Sequence, residues 1–225
     1  MPLLLLHGAL GTKKQFSPIK ELLSNDFEVY TMNFEGHGDF VSDKDFSIPL
    51  FTENVIQFLD ENKIDNIDIF GYSMGGYVAL FAAALKRINP LSIITLGTKF
   101  DWDPEFAEKE TQLLSVQTLQ EFAPVYYESL VKMHGDKMEL VLEGTKRLME
   151  NLGKNPLLSQ EKLSEISCPV FICRGDRDKM ITETESMKLT SLINGADYCV
   201  FENTSHQIDR VDVHYCAKKL IELIK

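Results

Sequence analysis

The chain has 225 residues, of which 44% are hydrophobic and 25% are charged, and its formal net charge is −11. This length and composition predict one globular domain with a full core, and they exclude wholesale disorder. The negative charge disfavours nucleic acid and an anionic membrane as partners, because both repel an acidic surface.

Short apolar runs alternate with longer helical patterns along the sequence. Most of these runs are continuous, which is typical of parallel strands that are covered on both faces. We therefore predict a doubly wound α/β sheet of about six mostly parallel strands. The predicted strands are residues 3–6, 27–34, 67–70, 91–96, 170–173 and 196–201, and the predicted helices are about 51–62, 73–87, 182–194 and 208–224.

Residues 98–165 interrupt this alternation. They contain three or four helical stretches and no clear strand, and Asp103 and Pro104 open the first stretch as N-cap and first-turn residue. Because ligands bind outside the carboxyl ends of parallel strands, an insertion after a strand end predicts a helical lid. The predicted domains are a core of residues 1–97 and 166–225 and a lid of residues 98–165. The alternative is an additional helical layer with a purely structural role.

The cysteines and the N-terminal residues indicate the cellular compartment in which the protein is expected. The cysteines lie in apolar runs and match no zinc-ligand spacing, which predicts free thiols in a reducing compartment. Residues 3–6 are four leucines without the basic region or cleavage site of a signal peptide, and no apolar stretch approaches about 18 residues. We therefore expect a cytoplasmic protein. The four cysteines are Cys168, Cys173, Cys199 and Cys216.

The most specific local motif is Gly71-Tyr72-Ser73-Met74-Gly75, between an apolar strand and a helical run. This is G-x-S-x-G in the strand–turn–helix context that the motif requires. The sharp turn strains the serine backbone and exposes its hydroxyl at the carboxyl edge of the sheet, while the glycines let strand and helix approach. The helix N-terminus directs N–H groups toward developing negative charge. The motif predicts a nucleophilic serine; the alternative is a plain glycine-rich turn.

With four further motifs, the sequence resembles the α/β-hydrolase family, in its branch of lidded small esterases, over nearly the whole chain. Residues 3–9 (LLLLHGA) resemble the family's strand that ends in His-Gly, and residues 33–38 (NFEGHG) resemble its Gly-His-Gly turn. Residues 172–178 (ICRGDRD) resemble the strand that carries the acid, and Ser205-His206 resembles the base loop. The resemblance implies a catalytic triad in the chain order Ser, Asp, His.

Five histidines compete for the role of the base that a serine nucleophile needs. His206 lies in a polar loop after the last strand, at the sheet edge where the serine is expected, and we predict that it is the base. His7 and His37 belong to turn motifs and are expected to shape loops. His134 and His214 are expected at the surface.

The base in turn needs a carboxylate that fixes its tautomer. The family's G-x-x-D pattern, counted from Gly175, selects Asp178, and we expect Asp176 to order the turn. Asp101 and Asp103 are rivals, because some relatives place the acid after the preceding strand. Asp103 already has a predicted capping role, which favours Asp178.

The resemblance also implies two backbone donors for the tetrahedral oxyanion. One is the N–H of Met74, directly after the nucleophile, and the other is the N–H of Ala9, with Leu10 as the alternative. Glu35 departs from the family, in which an arginine often precedes Gly-His-Gly, and brings a carboxylate to the edge of the site. We expect this charge and the net charge to disfavour strongly anionic substrates.

The family's full sheet has two strands before the His-Gly strand, and His7 lies too near the start of this chain to leave room for them. Residues 27–34 should therefore form an edge strand. An exposed edge invites pairing with another chain. We predict either a covered edge, and hence a monomer, or an edge-to-edge homodimer.

The primary functional hypothesis is a serine hydrolase that cleaves a small or medium apolar ester or a related acyl compound. The aromatic and Met-rich lid predicts an apolar, adaptable pocket. One alternative is a C–C bond hydrolase or lyase that acts on a small metabolite with the same triad. Another is a slow or non-catalytic small-molecule receptor. The expected partner is a small-molecule substrate, and no motif calls for a cofactor or metal.

Overall fold

A six-stranded parallel sheet forms the centre of the structure, a computed structural model that describes residues 1–225. The strands are β1 (Pro2–Leu6), β2 (Glu28–Thr31), β3 (Asp68–Tyr72), β4 (Ser92–Leu96), β5 (Val170–Gly175) and β6 (Asp197–Phe201). Their order is β2-β1-β3-β4-β5-β6, and every neighbouring pair is parallel. The predicted doubly wound sheet is thereby confirmed.

Ten α-helices connect and cover the strands. They are α1 (Ser17–Leu23), α2 (Ile48–Asn62), α3 (Met74–Ala84), α4 (Pro104–Gln112), α5 (Val116–Phe122), α6 (Pro124–His134), α7 (Met138–Lys154), α8 (Gln160–Ser164), α9 (Glu183–Leu192) and α10 (Val213–Ile224). The short helix α1 was not among the predicted elements. No helix combines the length and the apolarity that crossing a membrane requires.

The sheet is buried on both faces, because successive side chains of a strand point to opposite sides. In β1, Leu3 and Leu5 pack in one apolar cluster with α1 and α10, whereas Leu4 and Leu6 pack in a second cluster with α2 and α3. All four leucines are fully buried. A continuous run of leucines is thus what a strand between two helical layers needs.

The five helices α4–α8 lie between β4 and β5, and residues 98–165 contain no strand. Helices α6 and α7 contribute buried residues, among them Leu130 and Leu148, to the same cluster as α2 and α3. Helices α4 and α7 approach each other closely at Gly153, where an added Cβ would lie only 2.7 Å from Ala107 Cβ. Helix α8, at the end of the segment, packs against α3 of the core. The segment therefore shares the main core instead of forming a separate globule.

Strand β2 is one edge of the sheet, as expected, and its only partner is β1, while β6 forms the opposite edge. Strand β2 has four residues instead of the eight predicted. Val29 is buried, and Tyr30 packs edge-on against Phe58 of α2, with ring centroids 6.1 Å apart. So short an edge offers few free backbone groups to another strand.

Thr182 and Glu185 have the spacing that predicts a capping box at the start of α9, and the structure corrects this prediction. Thr182 is the N-cap, and its Oγ1 accepts a hydrogen bond from the N–H of Glu185 at 3.1 Å. In a capping box the Glu185 carboxylate would return to the N-cap N–H. It instead turns to the segment after β4, where it accepts hydrogen bonds from the N–H groups of Phe100 and Asp101.

Candidate active site

The nucleophile elbow has the predicted geometry. Ser73 lies between β3 and α3 with φ 50° and ψ −115°, a backbone conformation that residues other than glycine rarely adopt. Its N–H donates to the carbonyl of Leu96 at 2.9 Å, and its own carbonyl accepts from Thr98 Oγ1 at 3.0 Å. These hydrogen bonds hold the strained residue at the carboxyl edge of β3 and β4.

The two glycines of the motif serve different contacts. A Cβ on Gly71 would lie 2.4 Å from Gly76 Cα, so this glycine lets β3 and α3 approach as predicted. A Cβ on Gly75 would lie 2.3 Å from the carbonyl oxygen of Leu6. Gly75 is therefore required by the neighbouring strand β1 and not by β3.

Replacing Gly75 with alanine is expected to lower the free energy of unfolding by about 3 kcal/mol or more, because the clashing atom belongs to the backbone of a buried strand. Gly195→Ala is the matched control. Gly195 has a positive φ of 74° but open space around it, so only backbone strain of about 1 kcal/mol is expected. Urea unfolding of both variants measures the difference, and equal losses would contradict the steric explanation.

Asp178 and His206 are in direct contact. The Nδ1–H of His206 donates to Asp178 Oδ2 at 2.8 Å, and the side chain of Asp178 is only 1% exposed. The other carboxylate oxygen accepts from the N–H groups of Met180 and Ile181 at 2.8 and 3.0 Å. Burial alone would raise the pKa of Asp178, but the hydrogen bond and charge of His206 and the two N–H groups lower it below its usual value. Asp178 is thus held as a carboxylate.

The rival carboxylates are engaged elsewhere. Asp176 Oδ1 accepts from the N–H of Thr204 at 3.0 Å, so it orders the turn as expected. Asp103 caps α4 by accepting from the N–H of Phe106 at 2.8 Å. Asp101 accepts from Lys188 Nζ at 2.7 Å.

The base loop is also anchored by a residue that the sequence analysis did not single out. The hydroxyl of Tyr72 donates to the carbonyl of His206 at 2.8 Å, and the two rings lie 5.7 Å apart. Tyr72 directly precedes Ser73, so one turn positions both Ser73 and the backbone of His206. Gly97 lies against the acid–base pair, since a Cβ there would be 3.2 Å from both Asp178 Oδ2 and His206 Nδ1.

The Ser73 hydroxyl makes no hydrogen bond to His206 in this structure. The structure thus places Ser73, His206 and Asp178 at one edge of the sheet and joins only His206 and Asp178 directly. In enzymes without substrate, catalytic hydrogen bonds are often long and shorten in the substrate complex.

The expected oxyanion donors lie beside the nucleophile. Ala9, Ser73 and Met74 line one cavity. Met74 is the first residue of α3, where N–H groups have no partner within the helix, and the N–H of Ala9 makes no hydrogen bond to a backbone acceptor. Leu10, the alternative to Ala9, has φ 60°, and its carbonyl accepts a hydrogen bond from His134 Nε2 at 2.9 Å.

His134 is buried, so the expectation of a surface position was wrong. Its Nδ1 accepts from the N–H of Gly38 at 3.2 Å, while its Nε2–H donates to Leu10. This one side chain of α6 therefore joins the loop after β1 to the Gly-His-Gly turn. His7 and His37 shape these loops as expected: His7 Nε2 accepts from the N–H of Phe34 at 3.1 Å, and both rings are fully buried.

These three histidines make the stability of the fold sensitive to acid. Burial lowers the pKa of His7 to about 4 and lowers the pKa of His37 and His134 as well. In the unfolded chain each binds a proton near pH 6.5. As pH falls below about 6.5, the unfolded state therefore binds more protons than the folded state, and stability falls until the folded-state pKa is reached.

We expect His7 alone to contribute a loss of roughly 2 kcal/mol between pH 7 and pH 5, with further losses from the other two. His37→Phe keeps a ring against Phe46, whose centroid is 4.8 Å away, but cannot bind a proton, so its loss should be smaller. The exposed His214→Gln is the control. Urea unfolding at both pH values tests this, and equal losses in the two variants would refute the assignment.

The cavity beside Ser73 is apolar and narrow, with a volume of about 30 Å³. A cavity needs roughly 10–15 Å³ to hold one water, so this one holds about two. The residues that line the cavity are mostly apolar, as predicted, and they include Met149 of α7. The lining residues are Ala9, Ile48, Ser73, Met74, Tyr77, Lys99, Trp102, Leu148, Met149, Leu152 and Met180.

Glu35 does not line this cavity, which corrects the sequence-based argument about its charge. It is buried and accepts hydrogen bonds from Ser42, Lys44 and Asn54. Burial alone would raise the pKa of Glu35, but these hydrogen bonds and the charge of Lys44 lower it below its usual value. A carboxylate that is paired with Lys44 and lies outside the cavity gives no reason to disfavour anionic substrates.

Comparison with known proteins identifies the family of this chain. A family model described as alpha/beta hydrolase fold matches residues 1–136, more than half of the chain, and the chain therefore belongs to the alpha/beta hydrolase family. Ethanol acetyltransferase 1 of Hanseniaspora uvarum is 31% identical over 83 residues, which are 36% of this chain and 25% of that protein. The chain spans about a quarter of the length of the curated acetyltransferases that it matches.

Solved structures resemble the chain over almost its whole length. A thermophilic esterase from Thermogutta terrifontis has a TM-score of 0.79 at 19% identity, covering 99% of this chain and 88% of that one. The 2-hydroxy-6-oxo-6-phenylhexa-2,4-dienoate hydrolase from Rhodococcus sp. strain RHA1 has a TM-score of 0.82 at 16% identity, covering 98% and 89%. At such identities these likenesses concern the fold. They agree with the family match in giving the chain the alpha/beta-hydrolase fold.

Proposed function

We propose that the chain is a serine hydrolase that cleaves a small or medium apolar ester or a related acyl compound. The observation that carries this proposal is the buried Asp178–His206 pair at 2.8 Å, set at the same sheet edge as the strained Ser73. The apolar lining of the cavity beside Ser73 supports an apolar acyl group.

In this mechanism Ser73 Oγ attacks the scissile carbonyl carbon while His206 Nε2 takes the serine proton. Asp178 keeps Nδ1 protonated and stabilises the imidazolium that forms. The N–H groups of Met74 and Ala9 donate to the oxyanion, and removal of one such donor typically costs about 3 kcal/mol of barrier. The imidazolium then protonates the leaving alcohol. His206 next activates water, which cleaves the acyl-enzyme and regenerates Ser73.

The proposed lid, residues 98–165, covers this site and supplies Trp102, Leu148, Met149 and Leu152 to the cavity. The four free cysteines support a reducing, cytoplasmic compartment. The short edge strand β2 supports a monomer whose partner is the small-molecule substrate. A solution mass of twice 25.6 kDa by light scattering would instead favour the edge-to-edge homodimer.

A panel of p-nitrophenyl esters of graded acyl length tests the proposed function. We expect hydrolysis with the highest kcat/KM for short to medium acyl chains and a decline for long ones, because the cavity is narrow. Hydrolysis of no ester, with Ser73 still labelled by a fluorophosphonate, would favour C–C cleavage. Absence of both hydrolysis and labelling would overturn the serine-hydrolase proposal and favour a non-catalytic receptor.

A further inference from the structure

The side chain of Trp102 carries a buried donor that no protein group satisfies. Its Nε1 atom has no hydrogen-bond partner, and Trp102 lines the cavity that contains Ser73. An indole nitrogen can only donate, and buried polar groups in proteins are normally hydrogen-bonded. Of the other unpartnered buried side-chain atoms, none belongs to a residue of this cavity. Those atoms are Thr12 Oγ1, His37 Nε2, Thr52 Oγ1 and Tyr198 Oη.

The backbone that carries Trp102 is held by one buried carboxylate. Glu185 Oε1 accepts from the N–H groups of Phe100 and Asp101 at 2.7 and 2.8 Å, and Oε2 pairs with Lys99 Nζ at 2.8 Å. The indole ring packs edge-on against Phe106, with centroids 5.5 Å apart. The donor is therefore held in place before any ligand binds, as a specificity contact requires.

The charges around Trp102 favour a neutral acceptor. Lys99 also lines the cavity, but its ammonium is paired with Glu185 and lies 4.1 Å from the centroid of the Phe106 ring. The side chains of this ion pair are only 11% and 6% exposed, so its charges balance locally. The Tyr77 hydroxyl already accepts from two backbone N–H groups. Among the residues that line the cavity, Ser73 and Trp102 thus carry the polar side-chain groups that have no protein partner.

We infer that the Trp102 indole N–H binds a neutral carbonyl oxygen on the acyl part of the substrate, beyond the scissile carbonyl. The substrate class is then oxo-acyl esters and not plain alkanoates. This inference rests on the proposed function, since it assigns the acyl group of the Ser73 reaction to this cavity.

The first test measures the chemical shift of the indole N–H directly and does not require catalysis. Trp102 is the single tryptophan of the chain, so a ¹⁵N–¹H spectrum shows one indole resonance. Ser73→Ala protein is titrated with methyl 4-oxopentanoate or methyl 5-oxohexanoate, and with methyl pentanoate or hexanoate as matched controls. A saturable downfield shift with at least one oxo ester, and a clearly smaller one with its control, supports the inference. Equal shifts, or no shift with any ester, overturn it.

The second test measures kcat/KM for the p-nitrophenyl esters of the same acids. Wild type is expected to prefer at least one oxo ester over its matched alkanoate by roughly tenfold, the value of one well-placed hydrogen bond. In Trp102→Phe that ratio should fall to about one, whatever the change in the alkanoate rate. A ratio near one in wild type, or an unchanged ratio in the variant, contradicts the inference. Failure of the proposed function is a separate result: no ester is hydrolysed, and a fluorophosphonate does not label Ser73.

Discussion

Ser73→Ala is expected to lower kcat for ester hydrolysis by about 10⁴- to 10⁶-fold, because no other group in the cavity can form the acyl-enzyme. Binding should change little, since the substitution removes one hydroxyl and leaves the apolar lining of the cavity unchanged. Activity assays with a p-nitrophenyl ester measure kcat for hydrolysis. Intact-mass analysis after fluorophosphonate treatment should show one adduct on wild type and none on the variant.

The matched control for this experiment is Ser205→Ala. Ser205 is the direct neighbour of His206, and its side chain makes no hydrogen bond that positions the base. Its kcat should stay within about threefold of wild type. If Ser73→Ala retained most of the activity or still accepted the label, a different nucleophile would be at work and the proposed mechanism would be wrong.

Asp178→Asn is expected to lower kcat by about 10⁴-fold at neutral pH, the effect of presenting the base in the wrong tautomer. The asparagine amide can donate to Nδ1, which moves the proton of His206 to Nε2, the atom that must accept from Ser73. The folded state should survive, because asparagine Oδ1 can still accept from the N–H groups of Met180 and Ile181.

Asp176→Asn is a stringent control for this substitution, because it makes the same chemical change two residues away. An asparagine there can still accept from the N–H of Thr204, so kcat should remain close to that of wild type. A large loss in Asp176→Asn with a small one in Asp178→Asn would reverse the assignment of the acid. Steady-state kinetics and thermal unfolding of both variants separate catalytic from structural effects.

Much of this site could be predicted from local sequence, because its geometry is local. The elbow around Ser73 needs glycines at fixed offsets from one serine, and such offsets are visible in a single chain. Asp178 was predicted from the four-residue G-x-x-D pattern that begins at Gly175. The strand that precedes each of these turns is a continuous apolar run, so the placement of both residues at one sheet edge followed from parallel-sheet topology.

The cavity could not be predicted in the same way, because contacts between distant segments build it. Glu185 was expected to complete a capping box, yet its carboxylate pairs with Lys99, 86 residues away. His134 was expected at the surface, yet it reaches Leu10 across 124 residues. Glu35 was expected to act on the site, yet it pairs with Lys44 instead. In each case the local sequence allows the polar side chain more than one partner. The tertiary packing determines which of these partners it contacts.

The narrowness of the cavity beside Ser73 has a consequence for affinity. Because the cavity measures only about 30 Å³, we expect an ester to bind after lining side chains such as Met149 and Met180 change rotamer. The apparent dissociation constant would then be the intrinsic one divided by the population of the widened form. A widened form present at about 1% would weaken binding about a hundredfold. Shortening one of these methionines would then tighten binding without adding a single contact.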